Sequence, residues 1–208
     1  TVEAAHLQAL SDGTTYTITV ALSADAAGNT ATDDTGDTFV YDVTAPSITN
    51  VEASWGAYLN AAEDNSDGTI TVTTLNSANG ATVTVTGMGV TDTCTISTNS
   101  CIATVDAAHL QALSDGTTYT ITVALTADAA GNTATDDTGD TFLYDVTAPS
   151  ISNVVASWGD YLNAAEDNAD GTVTVTTLNA ADASTVTVTG MGVTDTCSTS
   201  SNSCVATI

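Results

Sequence analysis

The 208 residues include no lysine and no arginine against 25 Asp and Glu, so the formal charge is -25 and no fixed side-chain cation offsets it. Soluble domains ordinarily carry roughly a quarter charged residues with both signs mixed; here they make up 12%, all of one sign. Whole classes of function are excluded. Nucleic-acid binding needs cationic side chains on phosphates, and an anionic bilayer repels such a chain. Phosphoryl transfer, Schiff-base chemistry, arginine clamps on carboxylates and lysine–asparagine isopeptide staples go with them. Counter-charge has to come from solution, and oxygen ligands favour calcium as the cofactor. No apolar run approaches the ~20 residues of a membrane helix, and the first residues show no basic-then-apolar leader pattern. Neither nucleic acid nor direct membrane insertion is expected.

What the chain does have is hydrophobic content of 42% and a long internal repeat. His6 and His109 set the register at 103 residues, and 16 of the 103 aligned pairs differ. Proline occurs only as Pro46 and Pro149, each closing Asp-Val-Thr-Ala-Pro. Proline fixes φ and cannot donate to a ladder, so these positions read as boundaries. The expected domains are 1–45, the back of a preceding repeat; 46–148, a complete repeat; and 149–208, the front of a following one. Such a chain is a window cut from a longer fibre, or a subunit whose neighbours complete its domains by strand donation. The partners expected are neighbouring repeats, head to tail, in the same chain or the next subunit.

Within the complete repeat, seven segments alternate with period two: 47–53, 69–74, 82–86, 93–97, 100–105, 118–127 and 141–146. In Thr69-Ile70-Thr71-Val72-Thr73 the aliphatic residues face a core and the threonines face water. Seven short strands per 103 residues, with Gly, Asn and Asp turns between, predict an all-β fold of tandem immunoglobulin-like sandwiches. Residues 106–113 break the pattern and read as a short helical turn capped by Asp106.

The run Leu113-Ser114-Asp115-Gly116-Thr117-Thr118-Tyr119-Thr120-Ile121-Thr122-Val123, then Ala127-Asp128-Ala129-Ala130-Gly131-Asn132 and Asp145-Val146-Thr147-Ala148-Pro149, resembles the bacterial Ig-like repeats of giant extracellular adhesins and biofilm-associated surface proteins. Leu59-Asn60-Ala61-Ala62-Glu63 is similar to the first inter-strand loop of that family. The resemblance covers the whole repeat and implies architecture more firmly than ligand. This chain departs from many such arrays in carrying cysteines and lacking basic residues.

Cys94 and Cys101 recur as Cys197 and Cys204, and local pairing inside each repeat is the economical reading. Six intervening residues suit a hairpin whose strands the bridge joins; the spacing is wrong for zinc and no His lies close in sequence. An oxidising, extracellular or cell-surface location follows.

The candidate calcium ligands lie in recurring acidic turns. Glu63, Asn65 and Asp67, repeated as Glu166, Asn168 and Asp170, resemble the first half of a calcium loop, but Thr74 and Thr177 stand where its closing Glu belongs. Asp128 and Asn132 bracket a Gly turn. Asp136, Asp137 and Asp140, with Asp33, Asp34 and Asp37 before them, crowd one loop, and Asp42 and Asp145 precede the two prolines, where a cation can bridge neighbouring repeats. Each cluster has a plain alternative as Asn/Asp/Gly turn chemistry. A glycosidase carboxylate pair is disfavoured, because the clusters lie in turns with little aromatic surface. His6 and His109 have no catalytic partner in sequence, and Trp55 and Trp158 read as core or interface aromatics.

No enzyme is expected. The leading expectation is an extended spacer in an adhesin, stiffened by calcium. A segment of an extracellular polymeric filament is the alternative, and a carbohydrate- or ice-binding module stands third.

Overall fold

The computed structural model describes residues 1–30, 34–135 and 137–208. It divides into a unit from Thr1 to Asp145 and a second from Val146 to Ile208. The first unit opens with α1 (Ala4–Gln8), β1 (Thr14–Val20) and β2 (Asp34–Tyr41), the strands forming an antiparallel hairpin.

The complete repeat follows: β3 (Ser47–Ala53), β4 (Tyr58–Leu59), β5 (Gly68–Leu75), β6 (Thr82–Thr86), β7 (Thr91–Thr95), β8 (Ser100–Val105), α2 (Ala107–Leu110), β9 (Thr117–Leu125) and β10 (Asp137–Tyr144). Three strands form one sheet in the order β3-β5-β8, and five form another in the order β4-β10-β9-β6-β7. All pairings are antiparallel except β4 with β10. All seven expected strands are present, with ends shifted by a few residues. The eighth, β4, is two residues long and pairs with a strand 85 residues on, Tyr58 with Leu143, so no local period announces it.

Period-two burial builds the core. Along β5, Ile70 and Val72 are buried while Thr69, Thr71 and Thr73 are half-exposed. Val83, Val85, Ile121, Val123 and Phe142 close over them from the other sheet. Trp55 meets Phe142 edge-on with ring centroids 5.2 Å apart, a favourable aromatic geometry. Its indole also lies against Gly68, where a Cβ would come within 2.3 Å of the ring, so only glycine fits. Tyr119 stacks on Phe142 at 5.7 Å and accepts a 2.8 Å hydrogen bond from the Ser114 N–H, a tyrosine corner of the kind that immunoglobulin sandwiches use.

Two expectations need correction. Cys94 and Cys101 are bonded, as are Cys197 and Cys204, but Cys94 lies on β7 and Cys101 on β8, in different sheets. The bridge therefore staples the two layers together rather than the arms of one hairpin. A loop this short contributes roughly 2 to 3 kcal/mol by chain entropy, and such bonds belong to an oxidising, extracytoplasmic setting. Second, α2 starts after Asp106 as expected, yet that side chain makes no capping bond. The carboxylate of Asp67, forty residues earlier, accepts the Ala107 N–H at 2.9 Å instead.

The second unit holds β11 (Ser150–Ala156), β12 (Thr172–Leu178), β13 (Thr185–Gly190), β14 (Val193–Ser198) and β15 (Ser203–Thr207). They form a three-stranded sheet, β11-β12-β15, and a separate pair, β13-β14. The core is correspondingly small, centred on Val173, Val175 and Cys204 with Trp158 and Val186 packed against it. Thr199 replaces Ile96 of the other copy and stays buried by donating its hydroxyl towards Ala181 O at 2.7 Å and Ser184 O at 3.2 Å. Among the described residues no helix is long and apolar enough to cross a membrane.

One contact joins the β4–β5 loop to the last strand of the repeat: the buried Tyr144 hydroxyl donates to the buried Asp64 carboxylate at 2.7 Å. Burial first, and then this carboxylate, push the Tyr144 hydroxyl up to about 12. Removing the donor leaves a buried charge under-satisfied, at a cost of about 1 to 3 kcal/mol. Tyr144→Phe is expected to lower the stability of the complete repeat by that amount in urea unfolding, and Asp64→Asn, which keeps an acceptor, by less. Equal stability of Tyr144→Phe and wild type would contradict the assignment.

Candidate functional site

The acidic turns reach their geometry by hydrogen bonding to their own backbone. In the β4–β5 loop, Glu63 accepts the Asn60 N–H at 3.1 Å and its side-chain amide at 2.7 Å. Asn65 donates to Ala61 O and accepts from Gln111 at 3.3 Å. Asp67 holds α2. The three residues expected to share an ion thus point to three different partners. The second copy keeps the pattern: Glu166 accepts from the Asn163 amide, and Asn168 donates to Ala164 O at 2.7 Å. Asp170 is exposed, close to Trp158.

The Asp128–Asn132 turn is built differently. One carboxylate oxygen of Asp128 accepts the N–H groups of Ala130 and Asn132 at 2.9 and 2.8 Å, and the other accepts the Asn132 amide at 2.9 Å. That same amide donates to the main-chain oxygen of Asp42 at 3.1 Å. Asp128, Asn132 and Asp42 are therefore brought together where residues 1–45 meet the complete repeat. Asp25 and Asn29 repeat the turn with equivalent bonds of 2.8 to 2.9 Å. The Asn side-chain bond, ahead of the backbone ones, holds the carboxyls of Asp25 and Asp128 below the usual carboxylate range.

Asp137 and Asp140 sit on β10 beside a register shift in its pairing with β9. Burial first, and then the charge of Asp137, raise the Asp140 carboxyl. Asp136, like Asp33 in the other copy, lies outside the described residues. Asp145 donates its N–H to Leu59 O at 3.0 Å. Among the described residues, no three His, Cys, Asp or Glu side chains gather as a metal-binding group.

Two working carboxylates were not singled out by the sequence. Asp64 anchors Tyr144, and Asp12 accepts from the Val43 N–H at 2.8 Å and from the Thr44 hydroxyl, fixing the approach to Pro46. The Thr44 bond chiefly, then the backbone, lower the Asp12 carboxyl. The partners of Asp12 lie some thirty residues on, so no local pattern marks it.

No family model matches the chain, and no curated protein matches it in sequence. Among solved structures, it is similar to one giving structural insight into host cell surface retention of a 1.5-MDa bacterial ice-binding adhesin, at 22% identity and TM-score 0.48, covering 98% of this chain and 66% of that one. It is also similar to a Ca2+-stabilized adhesin that helps an Antarctic bacterium reach out and bind ice, at 27% identity and TM-score 0.42, covering 93% and 48%. Both neighbours are bacterial adhesins. The chain spans just under two thirds of the first and about half of the second. With both TM-scores under 0.5, the sandwich assignment rests on the strand order given above.

The pKa directions fix a pH dependence. Asp140, raised above the ordinary 3.8, is better protonated in the fold than in the unfolded chain. Its contribution to stability is present below 3.8 and lost as pH rises through the folded-state value. Asp12, Asp25 and Asp128, all lowered, contribute above 3.8 and lose that contribution as pH falls through their folded-state values. Asp140→Asn is expected to raise the melting temperature at pH 7 by on the order of 1 to 3 °C, the size of a screened surface interaction, and to have little effect near pH 3. Thermal melts from pH 3 to 7 check this; a lowered melting temperature at pH 7 would contradict it.

Proposed function

We propose that this chain is part of the repeat region of an extracellular bacterial adhesin, an extended spacer whose joints are stiffened by calcium. The observation that carries the reading is the joint itself: a turn of the complete repeat, Asp128–Asn132, reaches the main chain of the segment before it at Asp42. Its groups are hard oxygen donors of the kind calcium takes, namely a carboxylate, a main-chain carbonyl and an amide whose reversal would present oxygen. The charge of -25 supports the same ion, because only solution cations relieve it. Calcium stabilises the Antarctic adhesin among the structural neighbours; for this chain the case rests on its own carboxylates. Glu63, Asn65, Asp67, Asp137, Asp140, Asp145 and the copies Glu166, Asn168 and Asp170 remain further candidate ligands, each after a local rearrangement of its present hydrogen bonds. The role is mechanical, and no catalysis is proposed.

An ion that binds only the folded chain stabilises it by mass action, about 2.7 kcal/mol per site at a hundredfold excess over Kd. Millimolar calcium is expected to raise the melting temperature and lengthen the particle seen by small-angle scattering relative to chelator, and Asp128→Asn to reduce both changes. Identical melting and scattering in calcium and in chelator would overturn the calcium reading.

A further inference from the structure

We infer that Asn79, in the β5–β6 loop of the complete repeat, is a site of spontaneous covalent modification, conversion to aspartate through a cyclic imide, and that the Cys94–Cys101 loop holds it closed. It is the one asparagine of the chain followed by glycine. Gly80 leaves the attacking main-chain nitrogen unhindered, for a Cβ there would meet nothing within 4 Å. Both residues are exposed, so solvent reaches them.

The chemistry needs only water. The Gly80 nitrogen gives its proton to solvent base and attacks the side-chain carbonyl carbon of Asn79. A C–N bond forms, closing the imide, and the side-chain nitrogen leaves as ammonia with a proton taken from solvent. Water then opens the ring. Cleavage at the former side-chain carbonyl leaves aspartate, and cleavage at the main-chain carbonyl leaves isoaspartate, with the side-chain methylene now in the main chain. Nothing is oxidised or reduced.

Two hydrogen bonds oppose the attack, and both come from one segment. Asn79 Oδ1 accepts the Thr98 N–H at 2.8 Å, and the Gly80 N–H donates to Ile96 O at 2.9 Å. The first fixes the side chain, and the second engages the nitrogen that must attack. Ile96 and Thr98 lie inside the ring closed by the disulfide. Ile96 is buried, and its own N–H returns to Ala81 O at 2.8 Å. Thr98 is β-branched yet sits at φ 53°, a region such residues disfavour, so its place depends on ring closure and on the Asn79 bond.

The second copy of the turn shows that the product fits. Asp182 and Ala183 stand where Asn79 and Gly80 do. Asp182 accepts the Ser201 N–H at 2.8 Å, and the Ala183 N–H donates to Thr199 O at 2.7 Å. Aspartate at position 79 therefore keeps the turn, with a stronger bond to Thr98 because the acceptor is ionised. Isoaspartate lengthens the main chain and loses the Ile96 bond. The inference depends neither on calcium nor on the adhesin reading.

The full chain, disulfides intact, is incubated at mildly alkaline pH in buffer and in urea, and conversion of Asn79 is followed by peptide mass mapping. Because attack requires the two bonds to open, folding is expected to slow conversion by the same factor, within about threefold, as it protects the Gly80 amide from hydrogen exchange. Asn79→Asp is expected to unfold at the wild-type urea midpoint. The double variant Cys94→Ser/Cys101→Ser, with native circular dichroism, is expected to convert at least tenfold faster than wild type; if it does not fold, the first two measurements decide. Conversion in the folded wild type at the rate seen in urea would overturn the inference. So would an Asn79→Asp chain of clearly lower stability, or a folded double variant that converts no faster.

Discussion

The fold depends on how the last two strands of a repeat seat against the first six. β9 and β10 bring Ile121, Val123, Phe142 and Tyr144 over a layer made by β3, β5 and β8, and without them the opposite sheet is only the β6–β7 pair with the short β4. Burying Phe142 and Tyr144 removes large apolar area from water, the dominant favourable term in folding. Trp55, seated on Gly68, meets Phe142 edge-on, and Asp64 accepts from Tyr144. In the second unit the disulfide and the β12 core are intact, while Val154, Leu162 and Met191, the copies of buried Val51, Leu59 and Met88, are exposed and Trp158, Val186 and Val188 are half-buried.

Charge acts at a different level. With no cationic side chain, every carboxylate must be satisfied by N–H and O–H donors or by water, and the turns are organised around that need. Asp67 holds a helix start, Asp12 fixes the chain ahead of Pro46, and Asp25 and Asp128 each collect three donors. Hydrogen bonds to an ionised acceptor are stronger than neutral ones, so these residues are structural before any ion arrives. Where two carboxylates lie close, as at Asp137 and Asp140, burial and then the neighbouring charge push Asp140 towards its protonated form.

The repeat, the seven main strands and the disulfide partners were legible in the sequence because each is written locally or by self-similarity. Alternation in 69–74 fixes which side chains face inward, and two cysteines recurring at one offset need no distant partner. What was not legible depends on contacts between segments far apart. β4 exists because β10 passes beside it, and the disulfide spans two sheets because the chain crosses layers between β7 and β8. The true cap of α2 is Asp67 rather than its neighbour Asp106, and Asp64 looked like one acid among many until Tyr144 was found beside it. The candidate ligands suffered most: residues adjacent in sequence, such as Glu63, Asn65 and Asp67, turn towards different partners, while Asp42 and Asn132, ninety residues apart, meet.

Seating of the hairpin can be read at single amides. Thr126 donates its N–H to Thr82 O at 3.1 Å, so Thr84, two residues on in an extended strand, turns its own N–H to the same side, towards β9. Thr187 is the same position in the second unit, where β13 pairs with β14 alone. Amide hydrogen exchange is predicted to find Thr84, paired with β9, strongly protected and Thr187, whose strand pairs with β14 alone, exchanging at least a hundredfold faster. Equal protection of the two amides would contradict the view that the hairpin is what completes the sandwich.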